Sequence, residues 1–261
     1  MASANGARAH VEGAVALVGS GEYTGAMAET DRYLLATLGG ADATRDALLP
    51  TASGLEPDEP ARWNALGQQH FAGLGVTDIR PMGIIDAASA ADPEQVALLR
   101  DANFFYLSGG DPQHVIQSLR GSPAWEAITA AYGRGAVLAG CSAGAMALSG
   151  RTLSLRQVMV GTQIEWVESL SVVPHVIVFP HFDRMARFMG EPRFHEMVGT
   201  LPTGYVAVGI DEDTALVRMA VAPDAGAATP TRWRVMGRQT VTILAPGAER
   251  RILRAGDEAT L

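Results

Sequence analysis

LAGCSAGAMALSG, from Leu138 to Gly150, opens as an apolar strand and continues as a helix, and the turn between them consists almost wholly of small residues. Its centre, Gly140-Cys141-Ser142-Ala143-Gly144, fits G-x-S-x-G. In that motif a strand turns so sharply into a helix that the positions two before and two after the serine must be nearly bare. The serine is then lifted clear at the carboxyl edge of a sheet. The helix that starts beside it directs unpaired N–H groups toward any negative charge that forms there. A register shifted by one would instead lift Cys141, but it would place Ala139 and Ala143 where glycine gives most relief. Ser142 is therefore the better candidate nucleophile.

Outward from this stretch, apolar runs alternate with helical ones. AVALVG (14–19), DALLPTAS (46–53), VTDIRPMGI (76–84), NFFYLSGGD (103–111) and AVLAG (136–140) read as strands with their exits. PDEPARWNALGQQHFAGLG, DPEQVALLRDA, PQHVIQSLRG and SPAWEAITAAYGRG read as helices, and Asp92 followed by Pro93 marks a capped start. Strands that are apolar throughout, separated by helices, indicate an α/β fold: a mostly parallel sheet covered by helices on both faces. Ligands gather at the carboxyl ends of such strands. From Tyr205 the strands crowd together (YVAVGI, TALVRM, RWRVM, QTVTIL), which predicts an antiparallel extension of that sheet. The expected organisation is a loose tail over 1–13 and a single α/β hydrolase-like domain over 14–261. VAPDAGAATPT (221–231) is expected to be a mobile loop.

Composition removes several function classes. The chain has 261 residues, 48% of them apolar, and a net charge of −8 with no basic cluster. That balance argues against nucleic acid or an anionic membrane surface as partner and favours a small peptide or amide substrate. All 20 basic residues are arginine. Without lysine there is no P-loop, no pyridoxal Schiff base and no Ser-Lys pair. One cysteine forms no internal disulfide, and neither a signal segment nor an apolar run of membrane length is present, so a cytoplasmic protein is expected. No metal-ligand spacing such as H-E-x-x-H or C-x-x-C occurs, and neither a metal nor another cofactor is expected. The oligomeric expectation is a monomer or homodimer.

An activated serine needs a base, here one of six histidines. His10 lies in the tail, His70 and His195 lie in polar helical stretches, and His175 is at the wrong end of its strand. His114 follows GGDPQ but reads as facing solvent. His181 comes directly after VIVF and Pro180, which delivers it to the same sheet edge as Ser142. A carboxylate must orient the imidazole. Asp211, Glu212, Asp213, Asp183 and Glu165 all remain open on spacing alone.

Four landmarks, GSGE (19–22), FFYLSGGD (104–111), AGCSAGAM (139–146) and the pair PHFDR (180–184) with GIDEDTAL (209–216), together resemble peptidase family S51, the peptidase E and cyanophycinase group. The resemblance runs from Ala14 to Leu244. It implies a class I glutamine amidotransferase-like, flavodoxin-like three-layer fold and a Ser-His-Glu triad, which places the catalytic roles on Ser142, His181 and Glu212. It also implies oxyanion donors at the backbone N–H groups of Gly110 and Ala143. Substrate contacts are expected from Asp111, Gln113 and Arg184, with Arg187 nearby. Where cyanophycinases carry Asp-Gln before the histidine and Gln after Gly-Gly-Asp, this chain has Phe179-Pro180 and Pro112, which speaks against cyanophycin itself. The implied activity is serine-type hydrolysis of a small peptide or isopeptide bond, with an aspartyl-linked bond among the candidates. Two rivals stand beside it: a glutaminase-like amide transfer through Cys141, and a non-catalytic ligand-binding member of the fold.

Overall fold

The computed structural model describes residues 12–153, 165–189, 191–220 and 231–261, without the side chains of 186–193 and 195. The tail up to residue 11, most of the expected loop (221–230), and the side chains of Arg187 and His195 lie outside the described residues. Glu12 and Gly13, read as tail, are already fixed. The Gly13 N–H donates to the Tyr132 carbonyl at 3.1 Å, and Glu12 lies 3.3 Å from the Arg218 guanidinium.

Five parallel strands form the centre: β1 (Val15–Val18), β2 (Arg45–Leu49), β3 (Asp78–Pro81), β4 (Phe104–Leu107) and β5 (Val137–Cys141), in the order β1-β5-β4-β2-β3. The apolar character of β1, β2, β4 and β5 follows from burial on both faces, whereas β3, DIRP at the sheet edge, is half-exposed. Val15 and Leu17 of β1 pack into one core, while Ala14, Ala16 and Val18 pack into the other, as the two-residue period of a strand requires. One face is covered by α1 (Ala28–Thr37), which the sequence reading passed over, and α2 (Glu59–Gly73). The other carries α3 (Pro93–Asp101), α4 (Pro112–Leu119), α5 (Pro123–Tyr132) and α6 (Ala143–Leu148). Three of these helices start alike. Asp92, Asp111 and Ser122 accept backbone N–H groups of the first turn, and each is followed by a proline that has no N–H to leave unpaired.

The chain's later strands depart from the simple extension. β10 (Thr214–Arg218) does pair antiparallel with β1, followed by β11 (Arg232–Gly237) and β14 (Glu258–Thr260), giving eight strands. The remaining strands build a second sheet of six, in the order β13-β12-β9-β8-β6-β7. They are β6 (Ser149–Leu153), β7 (Trp166–Glu168), β8 (Val173–Phe179), β9 (Val206–Ile210), β12 (Thr240–Leu244) and β13 (Arg251–Arg254). YVAVGI therefore does not form a hairpin with TALVRM. β9 runs parallel to β8, after the crossover helices α7 (Phe182–Met189) and α8 (Glu191–Gly199), and only the turn 211–213 joins it to β10 in the first sheet. Asp213 takes φ 52° to make that turn. The two sheets meet where β5, β8 and the 211–213 turn converge. No helix among the described residues is long and apolar enough to cross a membrane.

Candidate active site

β5 ends at Cys141, Ser142 stands at φ 50°, ψ −111°, and α6 begins at Ala143. A side chain rarely adopts that backbone, and holding it costs about 1–3 kcal/mol that the surrounding packing must offset. The neighbouring glycines make the turn possible. A Cβ on Gly140 would lie 2.6 Å from the Gly144 carbonyl oxygen, and one on Gly144 would lie 2.3 Å from that of Leu107. Strand and helix thus cross closer than any side chain allows, and the Ser142 hydroxyl is left half-exposed above them.

His181 follows β8 and Pro180 and takes φ 50°, which ends the strand and starts α7. Its Nε2 lies 2.9 Å from Ser142 Oγ, and its Nδ1 lies 2.9 Å from Glu212 Oε1. Glu212 is held by its backbone as well. Its N–H donates to Asp183 Oδ1 at 3.0 Å, and its carbonyl accepts from Thr214 Oγ1 at 3.0 Å and Gln239 Nε2 at 2.9 Å. Arg184 Nη2 sits 2.6 Å from the second carboxylate oxygen, Oε2. One sheet supplies the hydroxyl, the other the imidazole, and the link between the sheets supplies the carboxylate.

The other acids left open by spacing have their own partners. Asp211 accepts from the Thr240 hydroxyl at 2.6 Å, Asp213 lies 3.7 Å from Arg238, and Asp183 is the cap on Glu212 just described. Glu165 is not free either. Among the histidines, His70 is buried against Asp31 at 2.8 Å. His114, read as solvent-facing, instead turns its Nε2 to the Ile85 carbonyl at 2.7 Å, because Gly54 leaves room for the ring.

Facing the Ser142 turn is the loop after β4. Its alternate amides are pinned: the Gly109 N–H donates to Glu22 Oε1 at 3.0 Å and the Asp111 N–H to the Ala52 carbonyl at 2.7 Å. Between them Gly110, at φ 144°, keeps its N–H without an acceptor among the described residues. The Ala143 N–H, at the first position of α6, has no intrahelical acceptor either. Of the residues expected to touch substrate, Asp111 spends Oδ1 on the N–H groups of Gln113 and His114. Gln113 lines a groove with Ile116 and Val167, and the largely exposed Arg184 has one guanidinium nitrogen on Glu212. Phe179 packs in the core of the second sheet, and Pro112 is the buried first residue of α4.

Cys141 does not share the exposure of its neighbour. It is fully buried, and its Sγ–H donates to Glu22 Oε2 at 2.8 Å. Burial, followed by the adjacent Glu22 charge, pushes the thiol well above its ordinary pKa. A thiol held in that state is a poor nucleophile, which counts against amide transfer through Cys141. In the sequence Glu22 stands out only as part of GSGE. The signal available for it was an acidic residue placed directly on the glycine exit of β1, where a solvated turn is the ordinary expectation.

The chain matches the model of peptidase family S51 over residues 15–220. It is 28% identical over 215 residues to the cyanophycinase of Synechococcus elongatus, a match covering 80% of this chain and 60% of that one. It is 28% identical over 190 residues to the cyanophycinase of Geminocystis herdmanii, covering 69% of this chain and 64% of that protein. The chain thus spans about three-fifths of the length of the curated relatives it matches. Among solved structures, a peptidase from an acI-B1 Actinobacterium superposes with a TM-score of 0.82 at 32% identity, over 97% of this chain and 99% of that one.

Proposed function

The chain belongs to peptidase family S51, and on that premise we propose that it is a serine peptidase acting through Ser142, His181 and Glu212. The observation that carries the reading is the continuous hydrogen-bonded line from Ser142 Oγ through the imidazole to Glu212, 2.9 Å at each step. Glu212 accepts a hydrogen bond from Nδ1–H, which keeps that proton on Nδ1 and leaves Nε2 free to receive the proton of Ser142. The alkoxide forming at Oγ attacks the carbonyl carbon of the substrate. The N–H groups of Gly110 and Ala143 stabilise the resulting oxyanion. The imidazolium, held by Glu212, then protonates the leaving amine and the C–N bond breaks. Water, deprotonated by His181, attacks the acyl-enzyme and releases the acid, restoring Ser142.

The substrate is a small peptide or isopeptide amide, with aspartyl-linked amides among the candidates. One feature supports a substrate recognised differently from cyanophycin: Phe179-Pro180 and Pro112 stand where cyanophycinases carry polar residues. The test is digestion of a peptide library containing β-aspartyl and arginine-bearing members, read by mass spectrometry, with Ser142→Ala as control. Cleavage by the wild type that the variant lacks supports the proposal. Absence of cleavage by folded wild type, together with retained binding of library members, favours the ligand-binding alternative.

A further inference from the structure

Glu22 is a charged residue only 8% exposed, and the reaction as described does not use it. It sits at the exit of β1, and its two oxygens reach in different directions. Oε1 takes the N–H of Gly109 on the β4 exit, and Oε2 takes the thiol proton of Cys141 at the end of β5. β1 and β4 are the two neighbours of β5 in the sheet, so one carboxylate ties together three adjacent strand exits. These exits carry the two N–H groups proposed for the oxyanion, both without an acceptor among the described residues: Gly110 directly follows Gly109, and Ala143 lies two residues beyond Cys141.

We propose that Glu22 is a positioning residue for the reaction, and that with Cys141 as its second anchor it braces the β4 exit against the Ser142 turn and sets the spacing of the Gly110 and Ala143 N–H groups. The inference rests on the serine peptidase reading. It also answers why a thiol stands beside the serine: Cys141 serves as a buried donor to the brace.

The geometry leaves little slack. Fixing the Gly109 N–H on Glu22 and the Asp111 N–H on Ala52 clamps the loop on both sides of Gly110, so that its N–H alone remains available. A Cβ at Gly109 would lie 3.0 Å from Glu22 Oε1 and 3.5 Å from Ser142 Cβ, so carboxylate, loop and serine are packed in direct succession. Oxyanion donors act only within a narrow distance range, and removing one costs about 10²–10³-fold in turnover. A displaced loop loses part of that. In Glu22→Gln the amide oxygen still accepts from Gly109, but its NH2 faces the Cys141 thiol donor, so one of the two prongs must reorganise. Glu22→Ala removes both.

The test uses a fluorophosphonate, whose phosphorus is attacked by the serine oxygen with loss of fluoride while the phosphoryl oxygen occupies the oxyanion position. Its rate of reaction with Ser142 is followed by intact mass across pH in wild type, Glu22→Gln, Glu22→Ala, Cys141→Ser and Cys141→Ala, with thermal unfolding of each. The expected result is a rate plateau about tenfold lower in Glu22→Gln and approaching 10²-fold lower in Glu22→Ala. The pH midpoint stays unchanged, and Cys141→Ser, which keeps a donor, loses less than Cys141→Ala. A brace needed only for folding lowers the unfolding temperature and leaves the plateau alone. Folded Glu22→Gln and Cys141→Ala reacting within twofold of wild type overturn the proposal, whether or not Glu22→Ala folds. A wild type that never reacts at Ser142 overturns the peptidase reading and this inference with it.

Discussion

Glu212→Gln is the substitution whose consequence is written most fully in the geometry. In the wild type, Oε1 faces His181 Nδ1 at 2.9 Å and Oε2 faces Arg184 at 2.6 Å. The guanidinium only donates, so a glutamine turns its carbonyl oxygen to Arg184 and its NH2 to the imidazole. Nδ1 must then accept, the ring proton moves to Nε2, and Nε2 can no longer take the proton of Ser142. The carboxylate charge that steadies the imidazolium is lost as well. A wrong tautomer of this kind lowers turnover on the order of 10⁴-fold, about 5 kcal/mol of barrier. The pull of Arg184 on the amide is small because its side chain is 68% exposed. Screened pairs of that sort are worth ~0.2–1 kcal/mol, so adding Arg184→Met to Glu212→Gln frees the amide to flip and recovers a few-fold of rate, up to about fivefold. The assay is the rate of fluorophosphonate reaction at Ser142 for both variants, with circular dichroism as a check on folding. A folded Glu212→Gln within tenfold of wild type refutes the tautomer argument. A double variant no faster than the single one refutes the part assigned to Arg184.

Gly110→Ala places a Cβ 2.3 Å from the Ala52 carbonyl oxygen at a φ that alanine resists, so the loop must move and turnover falls about 10²–10³-fold; steady-state kinetics on whichever library peptide is cleaved checks it. Asp111→Ala removes a helix cap and lowers stability by about 0.5–2 kcal/mol, while Asp111→Asn keeps the cap and stays near wild type in thermal unfolding. Asp46 is fully buried with neither oxygen hydrogen-bonded among the described residues, and burial raises its pKa well above the ordinary carboxylate value. The folded state therefore holds a proton that the unfolded chain releases above about pH 3.9, and stability declines as pH rises from there toward the folded pKa. Asp46→Asn flattens that decline in urea unfolding between pH 4 and 8; an unchanged slope counts against the assignment.

The parts legible in the sequence were those fixed by local sterics. Gly140, Ser142 and Gly144 announce their turn because no side chain fits at either glycine. The positions of β1, β2, β4 and β5 follow from apolar runs buried on both faces, whereas β3, DIRP at the sheet edge, is half-exposed and carries no such signal. His181 was visible because Pro180 stops β8 one residue earlier. Glu212 was not separable from Asp211 and Asp213 by spacing, because all three lie in one turn and their directions are set by partners distant in sequence. The family resemblance singled Glu212 out, and in the structure Asp211 and Asp213 face other partners. The second sheet escaped for a related reason: β9 and β10 are near neighbours in sequence and read as parts of one antiparallel extension, whereas β9 pairs parallel with β8 across two helices. Glu22 had only its place on the glycine exit of β1 to mark it, and its partners lie 87 and 119 residues away.

The claim on which the account stands is that the Ser142 hydroxyl, activated by His181, is the reacting atom. Peptide mapping after fluorophosphonate treatment measures it directly. The account predicts a single adduct on Ser142, absent in Ser142→Ala and slowed at least about 10³-fold in His181→Ala. An adduct on Cys141, or folded wild-type protein that stays unmodified, contradicts it.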